Sequence, residues 1–256
     1  MAQGNADLGG KVALVTGGTR GIGAAIAQRL RDAGALVVIS SRSAPQAADF
    51  EHIAGDVRDP VQARAMVDQV VGRHGRLDIL VNNAGGSPQA AAASASPRFS
   101  ERIIALNLLG PLYLAQAAHG HMAAQDSGGV VINIASVSGV RASPGTAAYG
   151  AAKAGLLSLT RTLAQEWGPK IRVNAVVVGL TETADAAATY GGEAARAAIA
   201  QALPLGRMGT GTDVANAVVF LASDQAAYVS GAELAVHGGG ETPLFLDLIA
   251  RHNGGG

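Results

Sequence analysis

The chain has 256 residues, 48% of them apolar, and a formal net charge of zero from 19 basic and 19 acidic side chains. That length and apolar content suffice for a sizeable core without disulfide or metal support, and the absence of cysteine excludes disulfides, thiolate metal sites and cysteine nucleophiles. Lys and Arg are scattered, which gives neither the basic stripe of a nucleic-acid surface nor a polybasic membrane patch.

The opening MAQGNADLGGK has neither the basic nor the apolar stretch of a secretory signal. No apolar run reaches the roughly 18 residues of a bilayer span, so the chain reads as cytoplasmic. Few aromatics against 35 glycines predict close helix–sheet contacts through small side chains.

In chain order, Lys11–Thr16 (KVALVT) reads as a buried strand, followed by a glycine-rich turn and a helix over Gly21–Ala33. Leu36–Ser40 is a second strand and His52–Ala54 a short third one. The interval from Arg42 to Asp56 is too short for a full crossover helix. A helix over Pro60–His74 and a strand over Asp78–Asn82 come next. The small, polar segment Gly86–Pro97 reads by composition more as a flexible surface connection than as a loop over a site. Then follow a helix over Arg98–Ala124, a strand over Val130–Ala135, a helix over Thr146–Trp167 and a strand over Ile171–Val178. An Ala-rich, loosely helical stretch over Ala184–Ala202, a helix over Thr212–Ala222 and a strand over Ala232–Val236 complete the series. Strands apolar on both faces, alternating with helices, predict a parallel sheet covered on both sides, an α/β fold of the doubly wound Rossmann type. No linker divides the chain, so residues 11–250 read as one domain with flexible ends at 1–10 and 251–256.

The first strand runs into Thr16-Gly17-Gly18-Thr19-Arg20-Gly21-Ile22-Gly23 and then a helix. Glycines there let the backbone turn sharply and approach a phosphate, and the helix start offers free N–H groups and a positive dipole end. A tight connection is the bland alternative, but strand, loop and helix stand in the order of a dinucleotide site. After the second strand, where an NAD site places a carboxylate, the chain reads Ser40-Ser41-Arg42-Ser43. Arg42 can take a 2′-phosphate through charge-assisted bonds, with Arg20 reaching the same group, so NADP(H) is expected over NAD(H). If Arg42 is only a solvated loop residue, the two cofactors bind alike. Asp56, before Val57, suits the adenine amino group or an ordinary turn.

Tyr149-Gly-Ala-Ala-Lys153 sets a phenol and an ammonium one helical turn apart on one face. A nearby cation is expected to lower the phenol pKa and suit it to proton exchange with a carbonyl oxygen. Ser136, at the end of a strand, borders the ligand crevice of an open parallel sheet or simply caps a helix. Asn107 sits in the long helix, where a buried amide can fix a water or bond a backbone carbonyl.

Together, T-G-G-T-R-G-I-G at Thr16–Gly23, N-N-A-G at Asn82–Gly85, Asn107, Ser136 and Y-x-x-x-K at Tyr149–Lys153 resemble the short-chain dehydrogenase/reductase family, in its single-domain, 3-oxoacyl-reductase-like branch. The resemblance covers about Lys11–Gly239. It implies a seven-stranded sheet with the dinucleotide across the strand ends. It also implies Tyr149 as acid/base, Lys153 lowering its pKa and bonding the nicotinamide ribose, Ser136 polarising the carbonyl and Asn107 holding a water. Asn83, Ala84 and Gly85 would line the nucleotide, with Gly179, Thr181 and Thr183 beside the nicotinamide and Thr183 bonding its carboxamide. Hydride transfer from the B-face and a homotetramer built on the two long helices are further implications.

Two departures stand out. Where the family has Asn-x-x-x-Pro-Gly, this chain has Asn174 to Val178-Gly179, and the missing Pro predicts a relaxed turn. Where the family has Val-Asp-Gly-Gly, the chain has Val236-His237-Gly238-Gly239, with His237 in a surface turn or against another subunit. The expected reaction interconverts a ketone or 3-oxoacyl group and a secondary alcohol. Charge-poor loops predict a neutral or partly apolar small-molecule substrate, and no Arg is evident as a clamp for an anionic group. A non-catalytic nucleotide sensor on the same fold is the alternative, which a broken tetrad would mark. An enoyl reductase is disfavoured by the Tyr–Lys spacing.

Overall fold

Seven strands form one parallel sheet in a computed structural model, which describes residues 6–44, 49–183 and 186–243 together with Phe245, Ile249 and His252. Of the ends expected to be flexible, 1–10 and 251–256, residues 1–5, 251 and 253–256 lie outside the described residues, as do 184–185 at the start of the Ala-rich stretch. In chain order the elements are β1 (Val12–Thr16), α1 (Gly21–Asp32), β2 (Leu36–Ser41), β3 (Glu51–Ala54), α2 (Pro60–His74) and β4 (Ile79–Asn82). They continue with α3 (Pro97–Ile104), α4 (Gly110–Ala124), β5 (Gly129–Ser136), α5 (Ala147–Glu166), β6 (Ile171–Val178) and the two-residue β7 (Thr181–Glu182). Last come α6 (Ala186–Tyr190), α7 (Glu193–Ala202), β8 (Gly209–Thr210), α8 (Gly211–Ala222) and β9 (Glu233–Val236).

The sheet order is β3-β2-β1-β4-β5-β6-β9, with all pairings parallel. Every residue of β1 is buried, because alternate side chains enter cores on opposite faces. Ala13 and Val15 pack with Ile26 and Leu30 of α1 and Val214 and Val218 of α8. Val12 and Leu14 pack with Val67 and Val70 of α2, Leu114 of α4 and Leu163 of α5. Small residues set the close approaches. A Cβ added at Gly211 of α8 would lie 2.8 Å from the Ala25 Cβ of α1.

Among the described residues no helix joins β2 to β3, in line with the short interval there. The long helix expected over Arg98–Ala124 is instead two helices separated by a π turn over Ala105–Leu109. Pro111 has no amide proton, so the helical bond to the Asn107 carbonyl cannot form, and the chain widens at that point. The Ala-rich stretch divides into α6 and α7 at Gly191-Gly192, and β7 pairs with β8 in a small separate ladder. The turn after β6 is not relaxed. Val178 stays in register with Ser136 and Val236, and the Gly179 amide donates to the Val236 carbonyl at 3.0 Å. Val178 is the last residue of β6 and keeps the N–H that a proline at this place would lack.

The strand order reverses between β1 and β4. There the carboxyl ends of neighbouring strands open a crevice, and the loops after β1, β4, β5 and β6 all reach it.

Candidate active site

A cleft of about 840 Å³ lies along these strand ends. Of the residues expected to bind the nucleotide or take part in the chemistry, every one except Asn107 lines it, from Gly17 and Arg20 at one end to Ser136, Tyr149 and Lys153 at the other.

The nucleotide end is built on the turn after β1. Gly17 and Gly21 have positive φ, 64° and 56°. A Cβ at Gly23 would lie 2.1 Å from the Gly17 carbonyl oxygen and 2.5 Å from Asn83 Nδ2. Gly23→Ala is therefore expected to displace the turn and weaken nucleotide binding at least tenfold, with about 1–3 kcal/mol of lost stability from overpacking. Equilibrium dialysis and urea unfolding measure the two effects.

The loop after β4 clasps this turn. Asn83 Nδ2 donates to the Thr16 and Gly17 carbonyls at 2.9 and 3.2 Å, and the Asn83 and Ala84 amides both donate to Thr16 Oγ1 at 3.0 Å. Asn83 thus lines the cleft with its side chain committed to the glycine turn. Helix α1 starts without a side-chain capping bond from Arg20 and without an acidic residue in its first turn. Uncapped N–H groups behind a glycine turn fit a pyrophosphate, so the residues present suit a dinucleotide.

At the 2′ position, Ser41 Oγ donates to the Ser43 carbonyl at 2.7 Å and lies 2.8 Å from His52 Nε2, while Arg42 is exposed. Arg58, which sequence reasoning missed, lines the cleft and grips both carboxylate oxygens of Asp56, its Nε donating at 2.9 and 3.1 Å. That guanidinium holds the Asp56 carboxyl below the usual carboxylate range. Asp56 is thereby engaged from within the protein at the position expected to meet adenine.

The chemical end lies where β5, α5 and the π turn meet. Asn107 is fully buried behind the Gly86 backbone. Its Oδ1 accepts from the Gly86 amide at 2.9 Å, and its Nδ2 donates to the Gly86 and Ile103 carbonyls at 3.0 and 2.9 Å. A Cβ at Gly85 would meet Asn107 Oδ1 at 2.7 Å and Lys153 Nζ at 3.4 Å, so amide and ammonium converge on one stretch of backbone. Lys153 is 3% exposed and donates to the Ile134 carbonyl at 2.7 Å. Burial lowers its pKa to about 8. Ser136 Oγ accepts from the Ser138 amide at 3.2 Å, so it both caps a short turn and borders the cleft.

The phenol of Tyr149 departs from expectation. Its pKa is raised, not lowered: burial disfavours phenolate, a hydrogen bond with Ser136 opposes the rise, and Tyr190 adds to it. Lys153 Nζ lies 5.6 Å from the centre of the Tyr149 ring and is turned toward Ile134. The lysine shares the cleft with the tyrosine but leaves it a neutral phenol, which is the proton-donating form.

The charged lining of this end includes an arginine. Arg141 lines the cleft past Ser136, together with Tyr190 of α6, although no anion-clamping Arg was evident in the sequence. Only its position in three dimensions identifies it. His237 packs against Gly179, where an added Cβ would meet its own at 2.5 Å. Among the described residues no group of three or more His, Asp or Glu is placed to hold a metal ion, and no helix is long and apolar enough to cross a membrane.

The family model described as enoyl-(acyl carrier protein) reductase matches residues 17–241. The chain is 40% identical to an oxidoreductase of Methylorubrum extorquens, over 91% of this chain and 98% of that one. It is 39% identical to the 3alpha-hydroxysteroid dehydrogenase of Mediterraneibacter gnavus, over 89% and 96%. The solved structure of Thermoplasma acidophilum aldohexose dehydrogenase superposes with a TM-score of 0.87 at 33% identity, covering 94% of this chain and 100% of the other.

Proposed function

Because the chain belongs to the short-chain dehydrogenase/reductase family, we propose that it interconverts a carbonyl compound and a secondary alcohol with a nicotinamide cofactor, NADP(H) before NAD(H), and with Tyr149 as acid/base. The observation that carries this reading is the single cleft that joins an uncapped helix start at Gly21–Gly23 to Ser136, Tyr149 and Lys153. A bound nicotinamide dinucleotide supplies the hydride donor or acceptor.

The protein's own residues handle the proton and the geometry. Tyr149, neutral at working pH, donates its proton to the carbonyl oxygen during reduction and takes one back during oxidation. Ser136 donates to the same oxygen and fixes its distance from the phenol. Lys153 is charged at and below about pH 8, which favours the developing phenolate and leaves donors for a ribose hydroxyl. Asn107 holds the Gly86 backbone in the loop after β4 and with it the wall beside Lys153. Aligning the reactants in this cleft accounts for much of the rate.

The test is a panel of ketones, 3-oxoesters and secondary alcohols followed by NADPH absorbance. Turnover that Tyr149→Phe removes supports the reading. Identical behaviour of both proteins, or none from either, sinks it. Arg42→Asp is expected to raise the KM for NADPH at least tenfold and to narrow or reverse the NADPH preference, because a bidentate cation at the 2′-phosphate becomes an anion. Michaelis constants for both cofactors check this, and an unchanged ratio contradicts it.

A further inference from the structure

We propose that Arg141, beside Tyr190 in the substrate half of the cleft, anchors a carboxylate on the carbonyl substrate, and that Glu241 occupies this anchor until the substrate displaces it. The inference rests on the oxidoreductase reading above and names the substrate class for that site.

Charge along the cleft is the first argument. Among the described lining residues Asp56 is the only carboxylate, against the cations Arg20, Arg42, Arg58, Arg141 and Lys153. Three of the arginines stand at the nucleotide end, and Lys153, buried and bonded to Ile134, is taken up by the chemistry proposed above. Arg141 alone brings a guanidinium to the substrate half. Its distance along the chain from Ser136 is only five residues, and its amide is tied to the Val137 carbonyl at 3.0 Å. Along the same cleft, Ser138, Ser143 and Thr146 form a chain of hydroxyls linked at 3.0 and 2.6 Å. This polar floor suits a substrate with acceptors of its own.

The second argument is that Arg141 already holds a carboxylate. Its Nε donates to Glu241 Oε2 at 3.1 Å and its Nη2 to Oε1, while Nη1 donates to the Ala142 carbonyl at 3.0 Å and orients the plane. Such a fork matches a carboxylate edge with two parallel bonds. Glu241 follows three glycines of positive φ, Gly238, Gly239 and Gly240. The pair is solvent-exposed, with 42% and 34% of the two side chains accessible. Being exposed, the pair is open to competition, and a substrate carboxylate brought alongside by the rest of the cleft exchanges with Glu241. Tyr190 lines the same stretch of the cleft, and burial raises its pKa, so its hydroxyl keeps a proton to offer an acceptor there.

The experiment uses 3-oxobutanoate, 4-oxopentanoate and 6-oxoheptanoate, each against its methyl ester, with NADPH for turnover and, by calorimetry, with NADP present for binding. For at least one chain length the acid should be preferred about tenfold or more in kcat/KM. Arg141→Met should bring that ratio near one, and Glu241→Gln should lower the KM for the acid severalfold. Wild-type calorimetry should show the same preference, a reading that does not depend on any variant folding. Equal or reversed preference in every pair, or a preference that survives Arg141→Met, overturns the anchor. Turnover of neutral ketones with no acid accepted overturns the anchor and leaves the oxidoreductase reading in place. Absence of turnover with every carbonyl overturns that reading instead, and the calorimetric preference then decides the anchor alone.

Discussion

Tyr149→Phe is expected to lower kcat by about 10²- to 10⁴-fold, the range spanned by a positioned general acid, while leaving fold and nucleotide affinity close to wild type. The phenol is half-buried, hydrogen-bonded with Ser136, and held neutral by burial. Removing one oxygen leaves the ring in place, so packing changes little. What is lost is the only proton donor that the structure places beside Ser136 on the helix carrying Lys153. In the reduction direction the raised pKa of Tyr149 is no handicap, because the protonated form is the reactive one. In the oxidation direction the same phenol must first lose its proton, so the alcohol reaction should quicken as pH rises over the range in which reduction slows. Steady-state rates in both directions, with fluorescence titration of NADPH, separate loss of chemistry from loss of binding. A residual rate within threefold of wild type contradicts the assignment of Tyr149.

Lys153→Met should do two opposite things: reduce turnover by about 10²-fold or more and stabilise the protein without cofactor. Burial brings the ammonium from the ordinary 10.5 to about 8. At about 1.4 kcal/mol per tenfold change, the folded state carries a charging penalty of ~3 kcal/mol at neutral pH. Losing the bond to Ile134 offsets about 1 kcal/mol of the relief, leaving a net gain of about 1–2 kcal/mol in the variant. The sign in pH follows from the depressed value. The stability associated with neutral Lys153 is fully present above about pH 10.5 and is lost as pH falls through about 8. Urea unfolding at pH 7 and at pH 9 should therefore show wild type gaining on the variant at the higher pH. A variant less stable than wild type at both values contradicts the picture of an ammonium buried against little more than one carbonyl.

The middle of the sheet was legible because its strands have no polar face. KVALVT, DILVN and IRVNAVVV are buried from both sides, and such runs, separated by helical stretches, admit few other arrangements. The cleft was legible as a set of strand ends, since Gly17, Asn83, Ser136 and Gly179 each follow a strand. Features that depend on one missing atom were harder to see. The π turn at Asn107 follows from the absent proton of Pro111, a signal present in the sequence as Gly110-Pro111 but masked by helix-forming neighbours. Two-residue strands such as Thr181–Glu182 leave no periodicity to detect. Arg58, Arg141 and Tyr190 carry no motif; they become site residues only when the loops after β3, β5 and β7 converge. The direction of the Tyr149 shift also could not be read from spacing. One helical turn predicts proximity to Lys153, but only coordinates show the ammonium turned toward Ile134 and the phenol enclosed.

Isotopic labelling tests carbonyl–alcohol hydride chemistry at this cleft most directly. With NADPH carrying a single deuterium on the B-face of C4 and a ketone that the enzyme reduces, the label should appear on the carbinol carbon of the alcohol in one turnover, in wild type but not in Tyr149→Phe over the same time. Hydrogen of solvent origin on that carbon, or label retained on the nicotinamide while the ketone is consumed, would contradict direct transfer beside Tyr149.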